Sequence, residues 1–297
     1  LRAGINSLAA ALCVGVLVGL LLTPDGRSWL RHPTLLLGGS ANASASASAT
    51  PPPSSQPMPA SVKLAPVAPL KERYARQGFL RIGVFGDSMA DGLWAGLYRD
   101  LRGLDGVSVT KFSEVSTGLS RYDYVDIQAK TTRQIDEQAV DVAVILFGTN
   151  DAQGISIDGQ VHAFGTEGWK AAYARRVDNL VALLRERGAT VYWVGLPRMK
   201  RADFDDRMAL INGVVEARMR ALGVPYLESV SLTSNADGDY EAYLSAADGR
   251  RQLMRANDGI HMSMAGYLRM SAPVADRIKR DAGLDQPVAR PAPTPAA

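Results

Sequence analysis

Phe79-Leu80-Arg81-Ile82-Gly83-Val84-Phe85 runs directly into Gly86-Asp87-Ser88-Met89-Ala90-Asp91-Gly92, and the fold follows from that junction. The first half is short, continuous and rich in branched and aromatic residues, as strands covered on both faces are. The second half turns at glycine and presents a serine at the strand's carboxyl end, before a predicted helix over Leu93 to Leu101. Asp141 to Phe147 is a second buried run, ending at Gly148, and Thr190 to Val194 a third, ending at Gly195. Helical spacing alternates with them: Tyr173, Val177, Leu180, Val181 and Leu184 share one face of a helix over Trp169 to Arg187, with others predicted from Asp206 to Leu222 and from Ala265 to Ala282. Strand and helix in alternation argue a three-layer α/β/α fold around a central parallel sheet. In such sheets function gathers at the carboxyl ends of the strands.

Outward from this region the chain changes character. Residues 1–24 hold an apolar run, Ala3 to Thr23, polar only at Asn6 and Ser7. At about 1.5 Å rise per residue it is long enough for a ~30 Å hydrocarbon core, so a transmembrane helix is expected to precede the α/β domain. Two readings stand, an uncleaved signal anchor or a cleaved signal peptide. Arg2 precedes the run while Arg27 and Arg31 follow it, which leaves orientation undecided. Residues 25–69 are rich in Ala, Ser and Pro and too poor in large side chains to offset ordering entropy, the composition of a tether. Residues 284–297 read as a disordered tail by the same reasoning, which leaves 70–283 as the folded domain.

Composition narrows the chemistry. The chain has 33 basic and 30 acidic residues, net +3, and this near-balance gives no electrostatic case for nucleic acid. One cysteine, Cys13, inside the apolar run, excludes an internal disulfide and a cysteine zinc site. Three scattered histidines, His32, His162 and His261, argue against a His-rich metal centre. No metal and no cofactor is expected.

Each candidate residue has an ordinary structural reading. Ser88 alone is most simply a helix cap. Asn150, in Gly148-Thr149-Asn150-Asp151, alone is a loop residue bonding its own backbone. Gly118 is a single glycine whose N–H a side chain would otherwise obstruct. His261 differs, because Asp258 stands three residues earlier and a carboxylate there holds one imidazole tautomer. His162 reads as a surface loop residue, and Arg198 as an exposed loop arginine in preference to a rim contact for an acidic sugar.

Together, Gly86-Asp87-Ser88, Gly118, Gly148-x-Asn150-Asp151 and Asp258-x-x-His261 resemble, in order, the four blocks of the SGNH branch of the GDSL esterase/lipase family. GDSMADGLW, STGL, WVGLP and NDGIHMS are similar to runs in the bacterial envelope group called domain of unknown function 459. Met89 replaces the family's usual leucine at similar volume. The resemblance implies a flavodoxin-like fold and a serine esterase with the triad Ser88, His261 and Asp258. It also implies an oxyanion hole from the N–H groups of Ser88 and Gly118 and the Asn150 side chain. Asp87 and Asp151 are read as fixing loops. The implied substrates are acylated small molecules or O-acetylated envelope glycans. The implied setting is a domain facing the periplasm, anchored in the inner membrane, or free there after cleavage. The same residues suit an O-acetyltransferase working beside a membrane O-acyltransferase, and a non-catalytic envelope binding module is the third reading.

Overall fold

The computed structural model describes residues 62–246 and 248–284. The expected membrane helix, the tether up to residue 61 and the tail from 285 lie outside them. No helix among the described residues is long and apolar enough to cross a membrane.

The chain folds as an α/β sandwich. Helix α1 (Leu70–Gln77) leads into β1 (Leu80–Gly86), followed by α2 (Ser88–Leu101), β2 (Val107–Lys111), α3 (Ile127–Glu137) and β3 (Val142–Leu146). A hairpin of β4 (Ile155–Ile157) and β5 (Gln160–His162) precedes α4 (Glu167–Glu186), β6 (Thr190–Val194), α5 (Ala202–Leu222) and β7 (Tyr226–Leu227). The short α6 (Val230–Thr233), a second hairpin of β8 (Tyr243–Ser245) and β9 (Arg251–Leu253), and α7 (Met264–Ala282) complete it.

The main sheet runs β2-β1-β3-β6-β7 with every pairing parallel. Counted within that sheet the order is 2-1-3-4-5, the flavodoxin-like order, whose connections diverge between β1 and β3. Val84 stands between Lys111 of β2 and Val144 of β3, so the three strand ends that matter lie side by side. All five residues of β3 are buried, which is why this strand reads as an unbroken apolar run. Edge strand β2 is half exposed and carries no such signal.

Helices α2 and α7 pack together over one face, and α3, α4 and α5 pack in series over the other. The α2–α7 approach depends on two glycines one turn apart. A Cβ at Gly92 would stand 2.0 Å from the Tyr267 ring, and one at Gly96 2.5 Å from Ser271 Oγ. In the second layer, Arg218 of α5 holds Asp178 of α4 through a fully buried two-pronged ion pair at 2.7–2.8 Å. The core between the layers is aromatic at its centre, where Trp169 stacks on Tyr173 at 4.7 Å.

Both ends of the described unit meet at the amino ends of the strands. Arg73 of α1 is buried and donates to the Gly188 and Asp141 carbonyls and to Thr190 Oγ1 at 2.7–2.9 Å. Arg185 donates twice to the Ala65 carbonyl, and Leu64 packs against the core. The last residues of the predicted tether therefore lie on the domain, because they have an apolar side chain to bury and a carbonyl to satisfy. Leu284, predicted to begin the tail, closes α7 instead. Its N–H donates to Lys279 O at 2.8 Å after the left-handed Gly283, a Schellman ending.

Candidate active site

Ser88, Gly118, Asn150 and the Asp258–His261 pair converge at the carboxyl ends of β1, β2 and β3. Helix α2 begins at Ser88 itself, not at Leu93 as the sequence suggested, and its cap is Asp87, whose carboxylate accepts from Met89 N at 2.9 Å. The cap reading of Ser88 is thereby removed. Its Oγ lies 2.7 Å from His261 Nε2. His261 Nδ1 lies 2.6 Å from Asp258 Oδ2, and Asp258 Oδ1 accepts the N–H groups of Ile260 and His261 at 2.9 and 3.0 Å. One carboxylate thus folds its own loop and aligns the imidazole.

Electrostatics sort the three carboxylates of the site. Partial burial pushes Asp258 up, but the hydrogen bond from His261 and the two backbone N–H groups outweigh it, and its carboxyl titrates down at about 2. It is ionised throughout the neutral range. Asp87 has no exposure, and burial pushes it up to about 6 despite donors from Thr149, Met89 and Gly148. Asp151, equally buried, is raised for the same reason.

These two buried carboxylates join the strand-end loops to each other. Asp87 Oδ2 accepts Gly148 N, Thr149 N and Thr149 Oγ1 at 3.3, 3.1 and 2.7 Å, tying the serine turn to the asparagine turn. Asp151 Oδ1 accepts both Ser120 N and Ser120 Oγ at 2.7 and 2.8 Å, and its Oδ2 accepts Tyr173 OH at 2.9 Å. That ties the asparagine turn to the glycine loop. Gly118 is glycine because a Cβ there would stand 2.4 Å from Asp151 Oδ1. The constraint comes from the carboxylate behind it, and not from crowding in the crevice.

Three donors remain for a ligand. No hydrogen-bond partner exists among the described residues for the backbone N–H groups of Ser88 and Gly118. One N–H of the Asn150 amide goes to the Thr117 carbonyl at 2.9 Å, which sets the amide plane and leaves the second hydrogen free. The Ser88 amide also belongs to the first turn of α2, where the helix dipole favours negative charge.

Sequence reasoning missed the residues that support this arrangement. Arg255 is fully buried and donates through Nη2 to the carbonyls of Gly259 and Ile260, at 3.3 and 2.9 Å. Those are the two residues between Asp258 and His261. Its guanidinium stacks 4.9 Å over Tyr240, and a backbone bridge between Arg255 and Met262 closes the loop. Burial lowers its affinity for its proton. On the other side Arg176 donates to the Leu119 and Ser156 carbonyls and covers the Tyr122 ring at 3.9 Å. Neither arginine stands in a recognisable local motif, so only the fold reveals them.

Two other expectations change. His162 lies in β5, paired with Ile155, and a Cβ on Gly168 would fall 2.4 Å from its Nδ1. It is packed in a hairpin and not in a free loop. Arg198 lies in a loop as expected but is half-buried there, pairing with Asp205 at 3.1 Å and Asp239 at 3.6 Å. No cluster among the described residues suits a metal ion.

The family model described as a protein of unknown function, DUF459, matches residues 81–277, well over half of the chain and all five site residues. Among solved structures, a GDSL-like lipase from Bacteroides thetaiotaomicron is similar at 15% identity, over 71% of this chain and 97% of its own, with a TM-score of 0.49. A carbohydrate acetylesterase family member from Sinorhizobium meliloti is similar at 14% identity, over 69% and 100%, with a TM-score of 0.49. No curated protein matches the chain.

Proposed function

The chain belongs to the DUF459 family, and from that premise and the geometry of its strand ends we propose that it is a serine esterase. The observation that carries this is the series Ser88 Oγ, His261 Nε2, His261 Nδ1 and Asp258 Oδ2, joined by contacts of 2.7 and 2.6 Å. In this reading Asp258 holds the proton of His261 on Nδ1, leaving Nε2 to accept the Ser88 proton. Ser88 Oγ attacks the ester carbonyl, and the tetrahedral oxyanion takes the N–H groups of Ser88, Gly118 and Asn150. His261 returns the proton to the leaving alcohol, and an acyl-Ser88 ester results. Water, deprotonated by the same imidazole, then attacks the acyl group and restores Ser88. Losing one oxyanion donor would cost on the order of 3 kcal/mol of transition-state stabilisation.

As substrates we assign O-acetyl esters of cell-envelope glycans. An apolar run at 3–23 followed by an Ala/Ser/Pro-rich stretch suits a domain held on the periplasmic side of a membrane, near such polymers. The test of the esterase reading is Ser88→Ala, which should abolish turnover of p-nitrophenyl acetate and labelling by a fluorophosphonate while the circular dichroism stays native. Turnover surviving in the purified variant would remove the triad assignment. Asp258→Asn should lose less activity than His261→Ala, because His261 keeps its contact with Ser88 in the former.

A further inference from the structure

The loop that carries Asp258 also lines a groove of about 430 Å³. Its walls come from the segment after β6 and the start of α5 (Met199, Lys200, Arg201 and Phe204) and from the loop Asn257 to Ile260. The two walls are joined by backbone, since Lys200 N donates to Gly259 O at 3.0 Å. Gly259 has a φ of +70° and no room for a Cβ, which would stand 2.4 Å from Lys200 Cβ. The bond and the close approach hold the two walls together, and Asp258, whose carboxylate meets His261, is part of the lining.

Its chemistry is divided. Phe204 and Ile260 are half-buried and offer apolar faces, while Asn257 and Lys200 are exposed and polar. Three cations stand in this segment. Arg198 is neutralised by Asp205 and Asp239, and Arg201 by Asp203 at 2.7 Å. Lys200 has no acidic partner among the described residues. The Asp258 carboxylate on the opposite wall is already occupied by His261 and two backbone N–H groups, so it does not claim the ammonium.

We propose that this groove binds an anionic sugar residue, the neighbour of the one bearing the scissile acyl group, with its ring on Phe204 and its carboxylate on Lys200. The proposal rests on the esterase reading and gives it a substrate class, O-acylated acidic polysaccharides such as polyuronates. A pyranose ring has one apolar face and an equatorial girdle of hydroxyls, which matches an aromatic wall with an amide beside it. A carboxylate against the Lys200 ammonium adds a charge-assisted hydrogen bond. An alcohol leaving from Ser88 takes its proton from His261, and the groove is lined by Asp258, the residue bonded to that imidazole.

The test separates binding from catalysis. Full-length chain carrying Ser88→Ala is titrated by calorimetry with an oligogalacturonate and with its carboxyl-reduced, uncharged counterpart. The acidic oligomer should bind on the order of tenfold more tightly, with the difference shrinking as salt rises. Adding Lys200→Ala should erase that difference, and Lys200→Arg should restore part of it. Equal binding of the two oligomers, no binding of either, or an acidic preference untouched by Lys200→Ala would each overturn the proposal. Wild-type turnover of p-nitrophenyl acetate, measured in parallel, reports on the esterase reading alone. A chain that hydrolyses the aryl ester yet shows no acidic preference loses the groove and keeps the triad.

Discussion

Asp87 and Asp151 are wholly buried, whereas the Asp258 side chain is 46% exposed, and the two sides of the crevice are built accordingly. On the Ser88–Gly118–Asn150 side, three loops at adjacent strand ends are bonded to one another through carboxylates that reach no solvent. On the His261 side, a single loop is closed by a backbone bridge and supported from beneath by one buried cation, Arg255. The first arrangement inherits its rigidity from the sheet. The second has no strand to stand on and is held by a side chain instead. An acyl-transfer site of this kind needs its oxyanion donors fixed and tolerates a base that makes small adjustments.

The largest effect is expected from removing the hub of the rigid side. Asp87→Ala would orphan the N–H groups of Met89, Gly148 and Thr149, each at about 1–3 kcal/mol. Against a total stability of about 5–15 kcal/mol, thermal melting should fall by well over ten degrees and esterase activity should vanish. Near-native melting would mean that the loops hold without their carboxylate.

Acid sharpens the contrast, because the two sides titrate in opposite directions. Asp87 is raised by burial from 3.8 to about 6, so the folded state holds its proton more tightly than the unfolded one. Stability from this group is fully present below about 4 and is lost as pH rises through 6, by about 3 kcal/mol. Asp258 is lowered from 3.8 to about 2. Its contribution is present above about 4 and is lost as pH falls toward 2, and its exposure keeps the effect small. Melting curves from pH 3 to 7 should therefore flatten between 4 and 6 in Asp87→Asn, and below 4 in Asp258→Asn. Identical pH dependence in wild type and Asp87→Asn would refute the assignment of Asp87.

The smallest change in stability is expected at Arg255, with a disproportionate change in rate. Arg255→Met leaves the Ile260 carbonyl without a donor, Gly259 O keeping Lys200 N, but also removes a buried charge that no carboxylate pairs with directly, and these terms oppose each other. Melting should shift by a few degrees, while kcat on p-nitrophenyl acetate drops about tenfold as His261 loses its alignment. Arg255→Lys should recover part of the rate. An unchanged kcat would show that the bridge alone positions the loop.

Much of this was legible in the sequence, for reasons that are themselves physical. Strands β1, β3 and β6 are covered on both faces and so read as apolar runs. Edge strand β2 and the two-residue β7 lie half exposed and leave no run to see. The two hairpins carried a signal that went unused, since Asp158-Gly159 and Asp248-Gly249 are the residues tight hairpin turns require. The side chains that converge at the strand ends were readable because the chemistry proposed for them restricts residue type. What holds them was not, because Arg255 reaches backbone carbonyls and any flexible donor of suitable length looks the same in a sequence. Gly118 was readable through the resemblance alone, and the Asp151 carboxylate that excludes a side chain there is visible only in space.

The meeting of both ends of the described unit at the amino ends of the strands, through Arg73, Arg185 and the closure at Gly283 and Leu284, bears on how the domain is handled. A bead, an electrode or a fused reporter joined just outside Val62 or Leu284 attaches at the opposite end of the strands from Ser88. Immobilisation from one end or the other should leave large polymers equal access to the crevice.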